Sequence, residues 1–233
     1  MGELVGIVPR KLDVSTLLDV VRKYADIMMH TMERYFVLED TMEITDKIAQ
    51  DVMKNVMKYA KILKKDPENY EARAEIMWCG SLSHNGLTGC GTCGGDWATH
   101  LIEHELGGMF DVAHGAGLAA VWGSWARYVY QNCLPRFHRF AVNVERFAQF
   151  AVDVMGVEES DDVKSTALKG IEAVEEFYRM IEMPTNMKEL GIDPTDEQIK
   201  DMAMKATNHD TQQLGAFKKL SAKDLVEIYK TAK

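Results

Sequence analysis

Apolar residues in this chain recur three and four positions apart from one end to the other, and nowhere do they alternate two by two. Leu17, Leu18, Val20, Val21, Tyr24, Ala25, Met28, Met29 and Met32 follow that spacing, as do Ile48, Val52, Val56, Ala60 and Leu63. A period near 3.6 lines such residues along one stripe of a helix, whereas a half-buried strand needs a period of two. The pattern therefore predicts an all-α chain without significant sheet. Asp40 or Thr41, followed by Glu43, marks one helix start, and Pro67 stands at an early position of a helix directed towards Leu82. Further amphipathic segments span 139–154, 161–180, 196–207 and 221–229, the last opened by Ser221 with Asp224 three residues on.

One stretch interrupts this regularity. Asn85-Gly86-Leu87-Thr88-Gly89-Cys90-Gly91-Thr92-Cys93-Gly94-Gly95 holds five glycines, which predicts a loop with unusual dihedrals or close backbone approach. No strand precedes it and no Gly-Lys-Ser/Thr follows, so it is not a phosphate-binding loop. Asp96 then stands as the cap of a helix carrying Trp97, His100, Leu101 and His104, with Gly107-Gly108 loosening its end. Another helix is predicted from near His114 to about residue 130.

Charge and cysteines narrow the function classes. A net charge of −9 argues against a nucleic-acid partner, which needs clustered Lys and Arg. No apolar run has the length of a membrane span, and the first residues lack a signal peptide's basic start and long apolar stretch. Cys79, Cys90, Cys93 and Cys133 read as reduced thiols in a cytoplasmic protein. The lone Cys90-x-x-Cys93 pair has no partner pair at zinc-site spacing.

The chemistry concentrates in Asp26, His30, His100 and His114. Asp26 and His30 lie four apart and so share a helix face, as do His100 and His104. One carboxylate and three imidazoles suit a divalent transition metal. The small residues after His114, Gly115-Ala116-Gly117, permit tight packing around it. Spacing alone leaves two readings open: a metal centre between helices, or satisfied helix histidines beside a solvated aspartate. His100-Leu101-Ile102-Glu103-His104 also matches H-x-x-E-H, the pattern of a zinc metallopeptidase with Glu103 as general base. That alternative leaves Asp26 and His114 unexplained. His84, His138 and His209 read as structural or surface residues. Trp97, Phe110, Trp122 and Trp125 suit either a small apolar pocket or, as is commoner, ordinary core packing.

Several of these stretches together resemble a known family. They are Asp26-Ile27-Met28-Met29-His30-Thr31-Met32-Glu33-Arg34-Tyr35-Phe36, Pro67-Glu68-Asn69-Tyr70-Glu71-Ala72-Arg73, Asn85-Gly86-Leu87-Thr88-Gly89, Gly95-Asp96-Trp97-Ala98-Thr99-His100 through Glu103-His104-Glu105-Leu106 to Asp111-Val112-Ala113-His114-Gly115, and Phe217-Lys218-Lys219-Leu220. From about residue 20 onward the chain resembles the helical C-terminal half of the iron-containing (group III) alcohol dehydrogenases, in their butanol-dehydrogenase-like branch. The resemblance implies a multi-helix bundle like the α-domain of dehydroquinate synthase. It places the metal, Fe(2+) or Zn(2+), on Asp26, His30, His100 and His114. His104 falls on the family's additional active-site histidine, close to the nicotinamide of NAD or NADP.

The implied reaction is oxidation of a small aliphatic primary alcohol to its aldehyde, the metal polarising the alcohol oxygen. The family's N-terminal dinucleotide-binding domain is absent from this sequence. Residues 1–233 are therefore expected to form a single helical metal-binding and catalytic domain. It would dock on a separate dinucleotide-binding domain or form a homodimer, presenting an exposed apolar face. The rival expectation is a non-catalytic metal-binding remnant or partner subunit.

Overall fold

The computed structural model describes residues 14–38, 43–132 and 142–233. Asp40, Thr41, Cys133, His138 and the start of the segment predicted from residue 139 lie outside the described residues. Nine α-helices occupy the described chain: α1 (Val14–Tyr35), α2 (Glu43–Lys65), α3 (Tyr70–His84), α4 (Ala98–Phe110), α5 (His114–Gln131), α6 (Val142–Asp153), α7 (Val163–Met180), α8 (Asp196–Ala206) and α9 (Ala222–Ala232). A single 3-10 turn at Leu87–Gly89 sits between α3 and α4. Among the described residues the only bridge pairs Leu214 with Leu220, so the expectation of an all-helical domain holds. No described helix is long and apolar enough to cross a membrane.

α5 is the axis of the fold. It is apolar almost all round, and it packs against α1, α4, α6, α7 and α9, as a helix without a polar face must. Trp122 and Trp125 on α5 are each 1 % exposed, and they join Phe36, Phe147 and Phe217 in one aromatic cluster. The core role expected for the two tryptophans is therefore the one they play. Their burial ties the end of α1 to α5 and α6, and so fixes α1 against the helix that begins with His114.

Local signals in the sequence account for most helix ends. Ser221 and Asp224 form a reciprocal capping box at α9, and Thr195 with Gln198 does the same at α8. Three details differ from expectation. Pro67 precedes α3 instead of entering it, because Asn69 is the cap and accepts from the Ala72 amide at 3.0 Å. Gly107 and Gly108 do not loosen α4, which continues to Phe110 and stops where Asp111 turns left-handed at φ 52°. At the other end of α4 the cap position is Trp97, also left-handed at φ 60°, and Asp96, one residue earlier, meets the first helical amide, Ala98 N, with its side chain.

Candidate metal centre

The centre is built outward from α1. Asp26, His30 and Glu33 are spaced four and three apart, so one face of α1 carries all three. The glycine-rich loop returns the chain to this face: the Asp96 amide donates to the Glu33 carbonyl at 2.8 Å. Gly95 makes that approach possible. Its φ is +122°, and a Cβ there would sit 3.1 Å from the Glu33 carbonyl oxygen and 2.9 Å from the Trp97 indole nitrogen.

The amides at the start of α4, which have no partner within the helix, are then met by two carboxylates. Asp96 Oδ2 accepts from Ala98 N at 3.2 Å. Glu33 Oε1, reaching across from α1, accepts from Thr99 N at 2.7 Å and His100 N at 3.2 Å. A helix N-terminus favours such anions through its unpaired N–H groups and its dipole. The second Glu33 oxygen lies 2.8 Å from His100 Nδ1.

Two of the histidines around Asp26, His100 and His114, are held through the ring nitrogen turned away from it. A carboxylate or carbonyl can only accept, so the ring nitrogen facing it carries the hydrogen. His100 Nδ1 donates to Glu33 and His114 Nδ1 to Glu103 through a very short contact, while His30 turns its Nδ1 to Asp26 itself, 3.1 Å from the carbonyl and 3.0 Å from Oδ1. In neutral His100 and His114 the lone pair is left on Nε2. His100 Nε2 lies 3.7 Å and His114 Nε2 3.5 Å from Asp26 Oδ1. Outer acceptors that fix the tautomer and ring angle are the usual support of metal-binding histidines.

Glu103 reaches His114 because Gly117 has no side chain. A Cβ at Gly117 would stand 2.6 Å from Glu103 Oε1 and 2.8 Å from its Cγ. Both Glu33 and Glu103 are 1 % exposed. Neither role is visible from residue type alone, although the Asp26, His30, Glu33 spacing on α1 was a usable signal for the first. Glu103, which sequence alone leaves as an outer or surface group, is buried and paired.

The electrostatics are those of a tight acid–imidazole cluster. Burial acts to raise Asp26, but its contacts with His100, His114 and His30 outweigh burial and hold the carboxyl well below the usual range. Burial acts to lower His100, yet Asp26 and Glu33 push it up to about 9. Asp26 and then Glu103 push His114 up to about 10. Protons alone satisfy this cluster poorly. Asp26 Oδ1 and His100 Nε2 are buried with no well-aligned hydrogen bond, and separations of 3.5 and 3.7 Å are long for charge-assisted bonds. A divalent cation accepts a carboxylate oxygen and imidazole lone pairs together, so the residues present fit a metal.

The structure thus brings together Asp26, His30, His100 and His114, the four residues singled out in the sequence. His104 lies at the exposed edge, its ring centroid 5.6 Å from that of His114 and 6.3 Å from that of His100. The H-x-x-E-H alternative fares badly: its general base, Glu103, is buried against His114. His84 is exposed, as expected, but it also stacks on His30 with ring centroids 4.0 Å apart, and its Nε2 lies 3.4 Å from Asp26 Oδ2, a neighbourhood the sequence did not announce. The reason is tertiary: the last turn of α3 is laid against α1, which no spacing along the chain reveals.

His209 is exposed as expected. Trp97 flanks the centre, its ring 5.5 Å from His30 and 5.3 Å from His100 with the Arg34 guanidinium over it at 4.8 Å. Phe110 packs, partly buried, against the core. Among the described residues, Cys79, Cys90 and Cys93 form no disulfide.

Known proteins resemble this chain in sequence and fold. The family profile described as "Fe-containing alcohol dehydrogenase family, C-terminal" matches residues 21–233. NADH-dependent butanol dehydrogenase A of Clostridium acetobutylicum is 31% identical over 206 residues, covering 88% of this chain and 50% of that protein. A probable NADH-dependent butanol dehydrogenase 1 of Bacillus subtilis is 33% identical over 208 residues, covering 89% of this chain and 50% of that protein. Among solved structures, NADH-dependent butanol dehydrogenase A of Thermotoga maritima superposes with a TM-score of 0.79 at 32% identity, over 91% of this chain and 51% of that one. The E. coli aldehyde reductase YqhD gives a TM-score of 0.82 at 26% identity, over 93% and 53%. The chain spans about half the length of the relatives it matches.

Proposed function

The chain belongs to the Fe-containing alcohol dehydrogenase family, and from that premise we propose that it is the metal-binding, catalytic part of an NAD(P)-dependent alcohol dehydrogenase. The reaction is the reversible oxidation of a short primary alcohol to its aldehyde. The observation that carries this reading is the convergence of three anchored imidazoles on Asp26. Asp26, His30, His100 and His114 are the proposed ligands. The donor set, one oxygen and three nitrogens, suits Fe(II), with Zn(II) the second choice. When bound, such an ion supplies Lewis-acid polarisation of a substrate oxygen.

The chain's own groups do the rest. Glu33 and Glu103 hold His100 and His114 in the tautomer that offers Nε2, so the donors need no reorganisation. Trp97 covers one side of the cluster and limits the water that reaches it. His104, on the exposed edge beside His114, is placed to relay the alcohol's proton to solvent, a task suited to imidazole. Relatives named for NADH at 31% and 33% identity and for NADPH at 29% support a nicotinamide dinucleotide, and the butanol dehydrogenases among them support a substrate of butanol's size.

The test is metal content. Elemental analysis of anaerobically purified wild type and Asp26→Ala should give about one Fe or Zn per chain for the former and little for the latter. Metal retained by Asp26→Ala would remove Asp26 from the ligand set.

A further inference from the structure

We propose that His84 is a fifth protein donor to the cation held at Asp26, an inference that rests on the metal-binding reading above. His84 closes α3, and its Nδ1 lies 2.9 Å from the Gly80 carbonyl. That oxygen can only accept, so Nδ1 carries the ring hydrogen. The Ser83 hydroxyl completes the arrangement: it donates to the same carbonyl at 2.9 Å and stands 2.8 Å from Nδ1. The neutral ring therefore keeps its lone pair on Nε2, as His100 and His114 do.

The Nε2 atom that carries that lone pair lies 3.4 Å from Asp26 Oδ2. Two acceptors facing each other at this separation repel unless something positive lies between them. The geometry repeats what the opposite lobe of the same carboxylate does, where Oδ1 faces His100 and His114. The donor atoms of Asp26, His30 and His84 lie within 4.8 Å of one another, and so do those of Asp26, His100 and His114. Two triads thus share Asp26. Stacking on His30, with 4.0 Å between centroids and 29° between planes, holds the His84 ring in this pose. His84 is also among the outermost of the set, its side chain 44% exposed against 7% for His100. It is a donor that arriving oxygen ligands can displace without disturbing the buried ones.

Cobalt(II) binding to the full chain tests this without any nicotinamide cofactor. Co(II) is titrated into metal-stripped wild type, His84→Ala, His84→Phe and His100→Ala. Visible absorption reports the coordination number, and competition with a chelator reports affinity. His84→Phe keeps an aromatic face for His30 and removes only the donor. It should bind Co(II) roughly ten- to a hundredfold more weakly, with a more intense visible band as the coordination number falls, and His84→Ala should behave alike. Wild-type affinity and spectrum in His84→Phe would overturn the proposal, even if His84→Ala were weak, because stacking would then be the whole role of the ring. Absence of Co(II) binding in wild type, or unchanged binding in His100→Ala, would instead sink the metal reading and the part given to His84 with it.

Discussion

Glu33 meets the start of α4 at three points: its Oε2 is 2.8 Å from the His100 ring Nδ1, while its Oε1 accepts from the His100 amide at 3.2 Å and from the Thr99 amide at 2.7 Å. One side chain on α1 therefore caps α4 and sets the tautomer of a proposed ligand. The two duties can be separated. Glu33→Gln keeps an oxygen for the amides but turns an N–H group towards the Nδ1 hydrogen. Metal affinity should fall roughly ten- to a hundredfold with little loss of fold. Glu33→Ala also leaves two buried amides unpaired, at about 1–3 kcal/mol each, and should lower the melting temperature sharply. Chelator competition and thermal melts distinguish the variants. Wild-type affinity in Glu33→Gln would show that the tautomer is set elsewhere.

Gly117 is the counterpart on the other side of the centre. Alanine is normally the better helix residue by about 1 kcal/mol, so Gly117→Ala would ordinarily stabilise a helix. Here the new methyl overlaps Glu103, with 2.6 Å to Oε1, and Glu103 is buried with no room to retreat. The variant should lose about 1–3 kcal/mol through overpacking and loosen metal binding by releasing His114. Urea denaturation and Co(II) affinity measure the two effects. A stabilised Gly117→Ala would mean that Glu103 is free to move away.

What could be read from the sequence was what a single helix dictates. Asp26 and His30 share a face because they lie four apart. Ser221 and Asp224 announce the start of α9 because a capping box is local. What could not be read was every contact made between helices. Glu33 meets His100 from α1 to α4, Glu103 meets His114 from α4 to α5, and His84 meets Asp26 from α3 to α1. A carboxylate such as Glu103 is normally exposed, and burial becomes tolerable only once its partner is in place. Trp97 is a similar case: its left-handed φ of 60° is imposed by the loop's attachment to Glu33, and nothing in an indole asks for it.

His104 separates the dehydrogenase reading from its peptidase rival. In the enzyme with its cofactor, His104→Ala should lower alcohol oxidation about 10²–10⁴-fold while bound metal stays at the wild-type level. The ring centroid, 6.3 Å from that of His100, lies outside the set converging on Asp26. Activity and elemental analysis on one preparation give both readouts. Loss of metal together with activity would restore His100, Glu103 and His104 as a candidate zinc site.

Asp96 gives the fold a pH dependence with a definite sign. It is 4 % exposed, and its Oδ1 accepts from Ala216 N at 2.7 Å and Phe217 N at 2.6 Å, tying the segment before α9 to the start of α4. Burial, reinforced by the charge of Glu33, pushes its pKa up to about 7 against the pull of three backbone amides. In the unfolded chain the value is about 3.9. Between those values the folded protein holds a proton that the unfolded chain releases, so stability falls as pH rises through that window and levels off above it. The full effect is about 4 kcal/mol. Asp96→Asn cannot ionise. Its amide oxygen keeps the Ala216 and Phe217 bonds, but the nitrogen cannot accept from Ala98, at a loss of about 1 kcal/mol. Wild type should therefore be the more stable protein at pH 4 and the less stable at pH 8, with the crossing at about pH 4.5, when both are unfolded in urea at each pH. A difference that stays constant from pH 5 to pH 8 would show that the Asp96 carboxyl is not raised.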